Sequence, residues 1–198
     1  MSETWLVGIY ADVEEIRKVP GSKNKKLVDS VIKKFNKEIK KENKWISEWN
    51  NDEPNTIQKA ILEIVEGRFG GGQYGYMAAF QYVCKFLGTP TKETDIYPNP
   101  ETLPKRFKAV KLNLLARKWR DLLKNNGLKV KLPKKDEAIW PVTTVISSKE
   151  LVKIKKEIIN ADLAAFDEDE KQAIDSINKI IDTAIKKKKD LLLFLSRG

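Results

Sequence analysis

The six residues Leu191–Ser196, LLLFLS, are apolar on successive rather than alternate positions and are bounded by Asp190 and Arg197-Gly198. A run this short and continuous predicts a strand buried on both faces, in the middle of a sheet. The other short apolar run, Trp5–Ala11 (WLVGIYA), reads as a second strand with both sides covered, Trp5, Val7 and Ile9 on one and Leu6, Gly8 and Tyr10 on the other. Each would invite aggregation as a lone edge, so the two ends of the chain are expected in the same sheet. Ile139–Ile146 (IWPVTTVI) predicts a further strand whose Pro141 end lies at an edge, and Leu128–Leu132, with Lys129 and Lys131 alternating, predicts a charged edge strand.

Helices are expected between and around these strands. Leu27, Val28, Val31, Ile32, Phe35 and Ile39 give one amphipathic face from Lys23 to about Lys40. Asn55 and Gln58 read as a capping box opening a helix over Ile57, Ala60, Ile61, Ile64 and Val65. The stretch from Gly67 to Gly88, GRFGGGQYGYMAAFQYVCKFLG, joins a glycine-rich turn to a strongly apolar helix that reads as the hub of a core. Pro104 to Asn126 predicts a helix with a break near Lys111–Asn113 and an inward side of Phe107, Val110, Leu114, Leu115, Trp119 and Leu122. Ser147 with Glu150, and Asp167 with Glu170, each bracket a helical first turn, and the second of these helices ends in Lys186–Lys189, which complement its dipole. The expected fold is α+β: a single domain over residues 1–198, with a small mixed sheet of three or four strands packed with several helices.

The inventory of side chains narrows the chemistry. With 198 residues, 41% of them hydrophobic, the chain is long enough for one sizeable core. No apolar run approaches a membrane span, and Glu3 stands where a secretory leader would carry positive charge, so a cytoplasmic protein without a membrane partner is expected. There is no histidine, which excludes Ser-His-Asp and Cys-His catalysis and removes the commonest transition-metal ligand. Cys84, the only cysteine, falls on the apolar face of the hub helix and reads as a small buried hydrophobe. Neither a metal nor another cofactor is expected, and an enzyme is the less favoured reading.

Candidate binding residues fall in three places. Gly70, Gly71 and Gly72 are able to cradle an anion with their backbone N–H groups, with Tyr74 and Tyr76 beside it, although GxxxxGK[ST] is absent and a close-packed turn is the simpler account. Glu42–Pro54 reads as a polar connector whose Trp45 and Trp49 are core anchors or part of a binding surface, and the loop after the hub contributes Asp95 and Tyr97. The third place is charged. Pro104–Lys135 holds twelve basic residues and one acid, Asp121, within a chain of net charge +10. Lys105, Arg106, Lys108, Lys111, Arg117, Lys118, Arg120 and Lys124 form its helical part, with Arg117, Lys118, Arg120 and Lys124 spread around more than half a turn. A phosphate backbone, an acidic protein surface or simple solvation each accounts for such a segment.

Three separated pieces, GIYADVEEIRKVPGSKNKKLVDSV from Gly8, QYGYMAAFQYVCKFLG from Gln73, and PVTTVISSKELVKI from Pro141 with KKKKDLLLFLS from Lys186, resemble small bacterial families of unknown function. In those families a Y-x-V-D-x-x-x-[IL] strand opens the domain, a YGY helix is central and a long helix with an apolar strand closes it. Here Tyr10, Asp12, Val13 and Ile16, then Tyr74, Gly75 and Tyr76, then Leu191–Leu195 hold these places, with Ala11-Asp12-Val13 departing from the first pattern. The resemblance implies an accessory or toxin-neutralising, immunity-type protein; the basic segment departs from an inhibitor that mimics nucleic acid. The favoured expectation is a non-enzymatic protein that binds another protein. Non-specific nucleic-acid binding through residues 104–135, and an enzyme or sensor taking a small phosphorylated or acidic ligand at residues 70–76, are the alternatives.

Overall fold

The structure, a computed structural model, describes residues 4–49, 56–70, 75–124, 128, 130 and 142–197, without the side chains of Trp45, Ile46, Trp49 and Arg197. The chain divides into two compact units, one drawn from residues 1–13, 89–128 and 141–198, the other from residues 14–88 and 129–140.

The first unit is built on a sheet. Strand β1 (Thr4–Ala11) pairs along its whole length with β5 (Asp190–Arg197), and β5 pairs on its other side with β4 (Val142–Ile146). Two-residue strands β2 (Thr89–Pro90) and β3 (Thr94–Asp95) add to β1, giving five strands in the order β2-β1-β5-β4 with β3 also on β1. The N- and C-terminal strands therefore share one sheet, as their apolar patterns require, and Leu191–Leu195 are all buried in its middle. The pairings among the described residues are antiparallel, a narrower arrangement than the mixed sheet expected. β2 and β3 lie in the stretch expected to be a loop; Thr91 reinforces them by accepting from the Gly8 N–H through Oγ1 at 3.0 Å and donating its own N–H to the Gly8 carbonyl at 2.7 Å. Of the expected strand Leu128–Leu132, only Leu128 and Val130 are described, and neither is in a strand. Residues 139–141 of the expected strand Ile139–Ile146 lie outside the described residues.

Among the described residues, four α-helices, α6 (Leu103–Ala109), α7 (Asn113–Leu123), α8 (Ser148–Ile159) and α9 (Glu168–Lys187), and a 3-10 turn at Leu163–Ala165 complete this unit. Helix α9 lies so close to β1 that a Cβ on Gly8 would stand 2.8 Å from Ile180 Cγ2, so the missing side chain is what lets helix and strand approach. Both expected capping boxes form, Ser147 with Glu150 opening α8 and Asp167 with Glu170 opening α9. The break between α6 and α7 also falls where expected, at residues 110–112, with Lys111 in a left-handed conformation at φ 65°. Phe107, Leu115, Trp119 and Leu122 turn inward and are buried.

The second unit is helical: α1 (Val13–Arg17), which starts at the unit boundary, then α2 (Lys25–Lys34), α3 (Asn36–Trp49), α4 (Ile57–Glu66) and α5 (Tyr76–Leu87). The single helix expected from Lys23 to Lys40 is two, because the chain leaves helical geometry at Phe35 (φ −111°, ψ 23°). The expected polar connector from Glu42 is also corrected, since α3 runs on through Trp49. Two of its polar residues explain why. Glu42 accepts from the Tyr82 hydroxyl of α5 at 2.6 Å, and Asn43 accepts from the Ile57 N–H at 2.8 Å while donating to Gln58 Oε1 at 2.7 Å. Gln58 is thereby committed to Asn43, and Thr56 is the local cap of α4, accepting from the Lys59 N–H; Asn55, the expected cap, lies outside the described residues. The hub helix α5 forms as expected, with Tyr76, Phe80, Val83 and Cys84 buried.

Candidate functional site

The glycine turn does not hold Tyr76 out for a ligand. Its ring is buried, lies edge-on to Phe69 at 5.4 Å, and its hydroxyl donates to Glu63 of α4. This is a tie between consecutive helices, in which an aromatic residue fills the core and its polar tip is satisfied. Gly70 is exposed, and among the described residues nothing lies within 4 Å of where its Cβ would stand, so none of them demands glycine at that position. Gly71, Gly72 and Tyr74 lie outside the described residues. Cys84 is fully buried, and burial pushes its thiol well above the ordinary range, away from the thiolate a nucleophile requires. Among the described residues no group of histidine, cysteine, aspartate and glutamate is placed to hold a metal ion.

Asp95 is exposed on β3, paired with Trp5, and Tyr97 follows it with 63% of its surface exposed. Trp45 and Trp49 stand on α3 rather than in a loop; nothing further is described of their side chains. The segment after Tyr97 is held to α7, because the Trp119 indole N–H donates to the Pro100 carbonyl at 2.9 Å.

The basic segment separates into two populations. Arg106 grips Glu170 of α9 with two bonds, Nε to Oε1 at 2.5 Å and Nη2 to Oε2 at 2.6 Å, donates to the Ala165 carbonyl and stacks over the Phe166 ring. Lys118 donates to Glu150 at 2.8 Å and to the Val145 carbonyl of β4 at 2.9 Å. These two are structural ties, and a planar guanidinium facing a carboxylate with both nitrogens engaged is poorly suited to releasing for a partner. Arg117 reaches Glu150 at 3.2 Å but keeps most of its side chain in solvent. Lys105, Lys108, Lys111, Arg120 and Lys124 are exposed.

The exposed members form a tighter set than their sequence spread suggests. Arg117, Arg120 and Lys124 follow one another at spacings of three and four and share the outward face of α7, opposite Leu115, Trp119 and Leu122, whereas Lys118 turns aside to β4. Helix α8 lies against α7, bound through Glu150 to Arg117 and through Glu157, whose carboxylate accepts from the Leu114 and Leu115 N–H groups. On its far side Lys155 reaches Asn178 and Asp182 of α9. Between these two sides α8 exposes an arc of Lys149, Lys153 and Lys156 with Val152 and Ile159, which are 46% and 68% exposed. The sequence alone turns Leu151, Ile154 and Ile158 inward with Ile159 beside them and makes no binding face of α8; the first three are buried, but Ile159 is exposed. The available signal was Val152 and Ile159, seven residues apart and off the Leu151-Ile154-Ile158 face.

The ion pairs imply a pH response. The hydrogen bonds from Arg106 hold the Glu170 carboxyl below its usual range, against an opposing push from burial and with help from the Asp167 N–H. Glu150 is also lowered: burial alone would raise it, but Lys118 and Ser147 outweigh that. A depressed folded-state carboxylate contributes stability above its unfolded value, about 4.3, and the contribution disappears as pH falls through the lower folded value. Thermal melting between pH 6 and pH 3 is therefore expected to show wild type more stable than Glu170→Gln near neutrality, with the gap closing below about pH 4. A gap independent of pH would show that the pair carries no such linkage.

Residues 8–196 match DUF7691, a family described as a domain of unknown function, and the chain belongs to it. No curated protein and no solved structure matches the chain.

Proposed function

We propose that this member of the DUF7691 family is a non-enzymatic protein that acts by binding an acidic partner protein through the outward faces of α7 and α8. The observation that carries the reading is the pair of bare aliphatic side chains, Val152 and Ile159, on an arc with Lys149, Lys153 and Lys156 beside a helix presenting Arg117, Arg120 and Lys124. Phosphate contacts reward the cations alone, whereas a protein surface rewards the cations and the aliphatic groups together. Nucleic-acid binding through residues 104–135 uses the same charge and leaves Val152 and Ile159 without a purpose. Exposed Tyr97 supplies a further aromatic anchor in the same unit. A toxin neutralised in the cytoplasm is one partner of this kind, the one the accessory and immunity-type resemblance suggests.

The test begins with affinity capture from native extract, with proteins and nucleic acids both identified. Affinity for the recovered protein is then measured for wild type, for Val152→Asp/Ile159→Asp and for Arg120→Glu/Lys124→Glu. Each variant is expected to bind at least about tenfold more weakly, the range of an interface anchor. Recovery of nucleic acid alone, or a partner indifferent to both variants, overturns the reading.

A further inference from the structure

The helical unit contains a cavity of about 230 Å³ lined by Lys23, Lys25, Leu62, Val65, Glu66 and Arg68. Its walls are fixed by backbone. Helix α4 ends at Gly67 in a left-handed conformation (φ 71°), and the loop before α2 docks onto that last turn: the Gly21 N–H donates to the Ile64 carbonyl at 3.0 Å and the Lys23 N–H to the Val65 carbonyl at 2.9 Å. The two glycines meet so closely that a Cβ on Gly67 would stand 3.0 Å from Gly21 Cα. Carbonyls at the end of a helix, which otherwise need water, are thus used to hold Lys23 in place, itself at φ 57°. Asn24 then caps α2 by accepting from the Leu27 N–H, and Lys25 begins the helix.

The two docked segments thus place the exposed residues Lys23, Lys25 and Arg68 on one concavity together with the buried Val65 and a single carboxylate residue, Glu66. None of Lys23, Lys25 and Arg68 makes an ion pair among the described residues. Three cationic side chains against one carboxylate give the lining of the hollow a net positive charge, which favours an anion. The volume lies below the roughly 300 Å³ at which pockets for drug-sized ligands begin, which limits the occupant to a small molecule.

We propose that this cavity is a binding site for a small dianion, of the size of inorganic phosphate, a phosphate monoester or a short dicarboxylate, held by Lys23, Lys25 and Arg68. The site is separate from the α7 and α8 faces and stands or falls independently of them. Its lining residues are other than those of the anion cradle expected at residues 70–76. Arg68 supplies the planar fork that oxyanions accept in pairs, and the two lysines supply point charges.

The test is titration of the full chain with inorganic phosphate and, separately, with succinate, at constant ionic strength, followed by amide chemical shifts. Saturable shifts at Lys23–Lys25 and Glu66–Arg68 are expected with at least one of the two anions, and which of them binds distinguishes phosphate from dicarboxylate chemistry. Arg68→Gln and Lys25→Gln are expected to weaken binding at least fivefold each, and Lys33→Gln, exposed further along α2, to leave it unchanged. Absence of saturable shifts with both anions up to about 20 mM, far above the roughly micromolar-to-millimolar range of useful small-ligand sites, overturns the proposal. So does equal weakening by Lys33→Gln, which would mark general counterion attraction.

Discussion

A chain ending at Asp190 is expected to lose the cooperative folding of its sheet unit altogether. β5 is hydrogen-bonded along both sides, to β1 from Thr4 to Ala11 and to β4 from Val142 to Ile146, so its removal separates the two strands that flank it. Leu191, Leu192, Leu193, Phe194 and Leu195 are 0–1% exposed. Burying side chains of this kind contributes about 1.5–3 kcal/mol each, so the set exceeds about 7 kcal/mol, within the range of a whole domain's net stability of about 5–15 kcal/mol. The exposed inner edge of β1 adds a second penalty, since unpaired N–H and C=O groups on an apolar strand template aggregation. Far-UV circular dichroism through a thermal ramp, with sedimentation of the soluble fraction, checks the outcome. A soluble truncated chain with a sharp melting transition would contradict it.

The second large effect is expected at Trp119. Its side chain is fully buried, meets Phe107 edge-on (5.7 Å between ring centroids, 87° between planes), and spends its one donor on the Pro100 carbonyl. Trp119→Ala removes the largest side chain of the α6–α7 core and leaves a cavity and an unpaired carbonyl together, for an expected loss of about 3–5 kcal/mol. Trp119→Phe retains most of the packing and removes the donor, so a smaller loss of about 1–3 kcal/mol is expected from the unpaired group and the reduced volume. Urea denaturation with unchanged slope measures both. A loss below about 1 kcal/mol for Trp119→Ala would mean that the segment around Pro100 closes over the gap without strain.

The candidate site was legible only in part. The concentration of positive charge after Pro104 is plain in the chain, and so is the break that separates α6 from α7. Which cations are available is a different matter, because that depends on where distant carboxylates arrive. Glu170 lies 64 residues from Arg106, and Glu150 serves Lys118 and Arg117 from across a strand. Each acid also looked fully employed as the third residue of its own capping box; the structure gives it a second role with its remaining lone pairs. Tyr76 reads the same way. The YGY stretch advertises an aromatic beside a glycine-rich sequence, whereas the Glu63 carboxylate that accepts the hydrogen bond of its hydroxyl is on another helix.

Local chemistry alone determined the elements whose information is contained within one turn or one pleat. Two short apolar runs at the ends of the chain dictate buried strands, capping boxes dictate where α8 and α9 begin, and the period of Tyr76, Phe80, Val83 and Cys84 dictates the buried face of α5. Tertiary structure decided the elements whose ends are satisfied from elsewhere. Helix α3 continues through a polar stretch because Glu42 and Asn43 find Tyr82 and Ile57 on other helices, and α7 begins at Asn113 without a local side-chain cap because Glu157 of α8 supplies the acceptor. It also decided β2 and β3, which are too short to show a period and exist only because β1 offers them an edge. The physical reason is common to all three: a backbone N–H must be paired when it is removed from water, and the partner that pairs it need not be near in the chain.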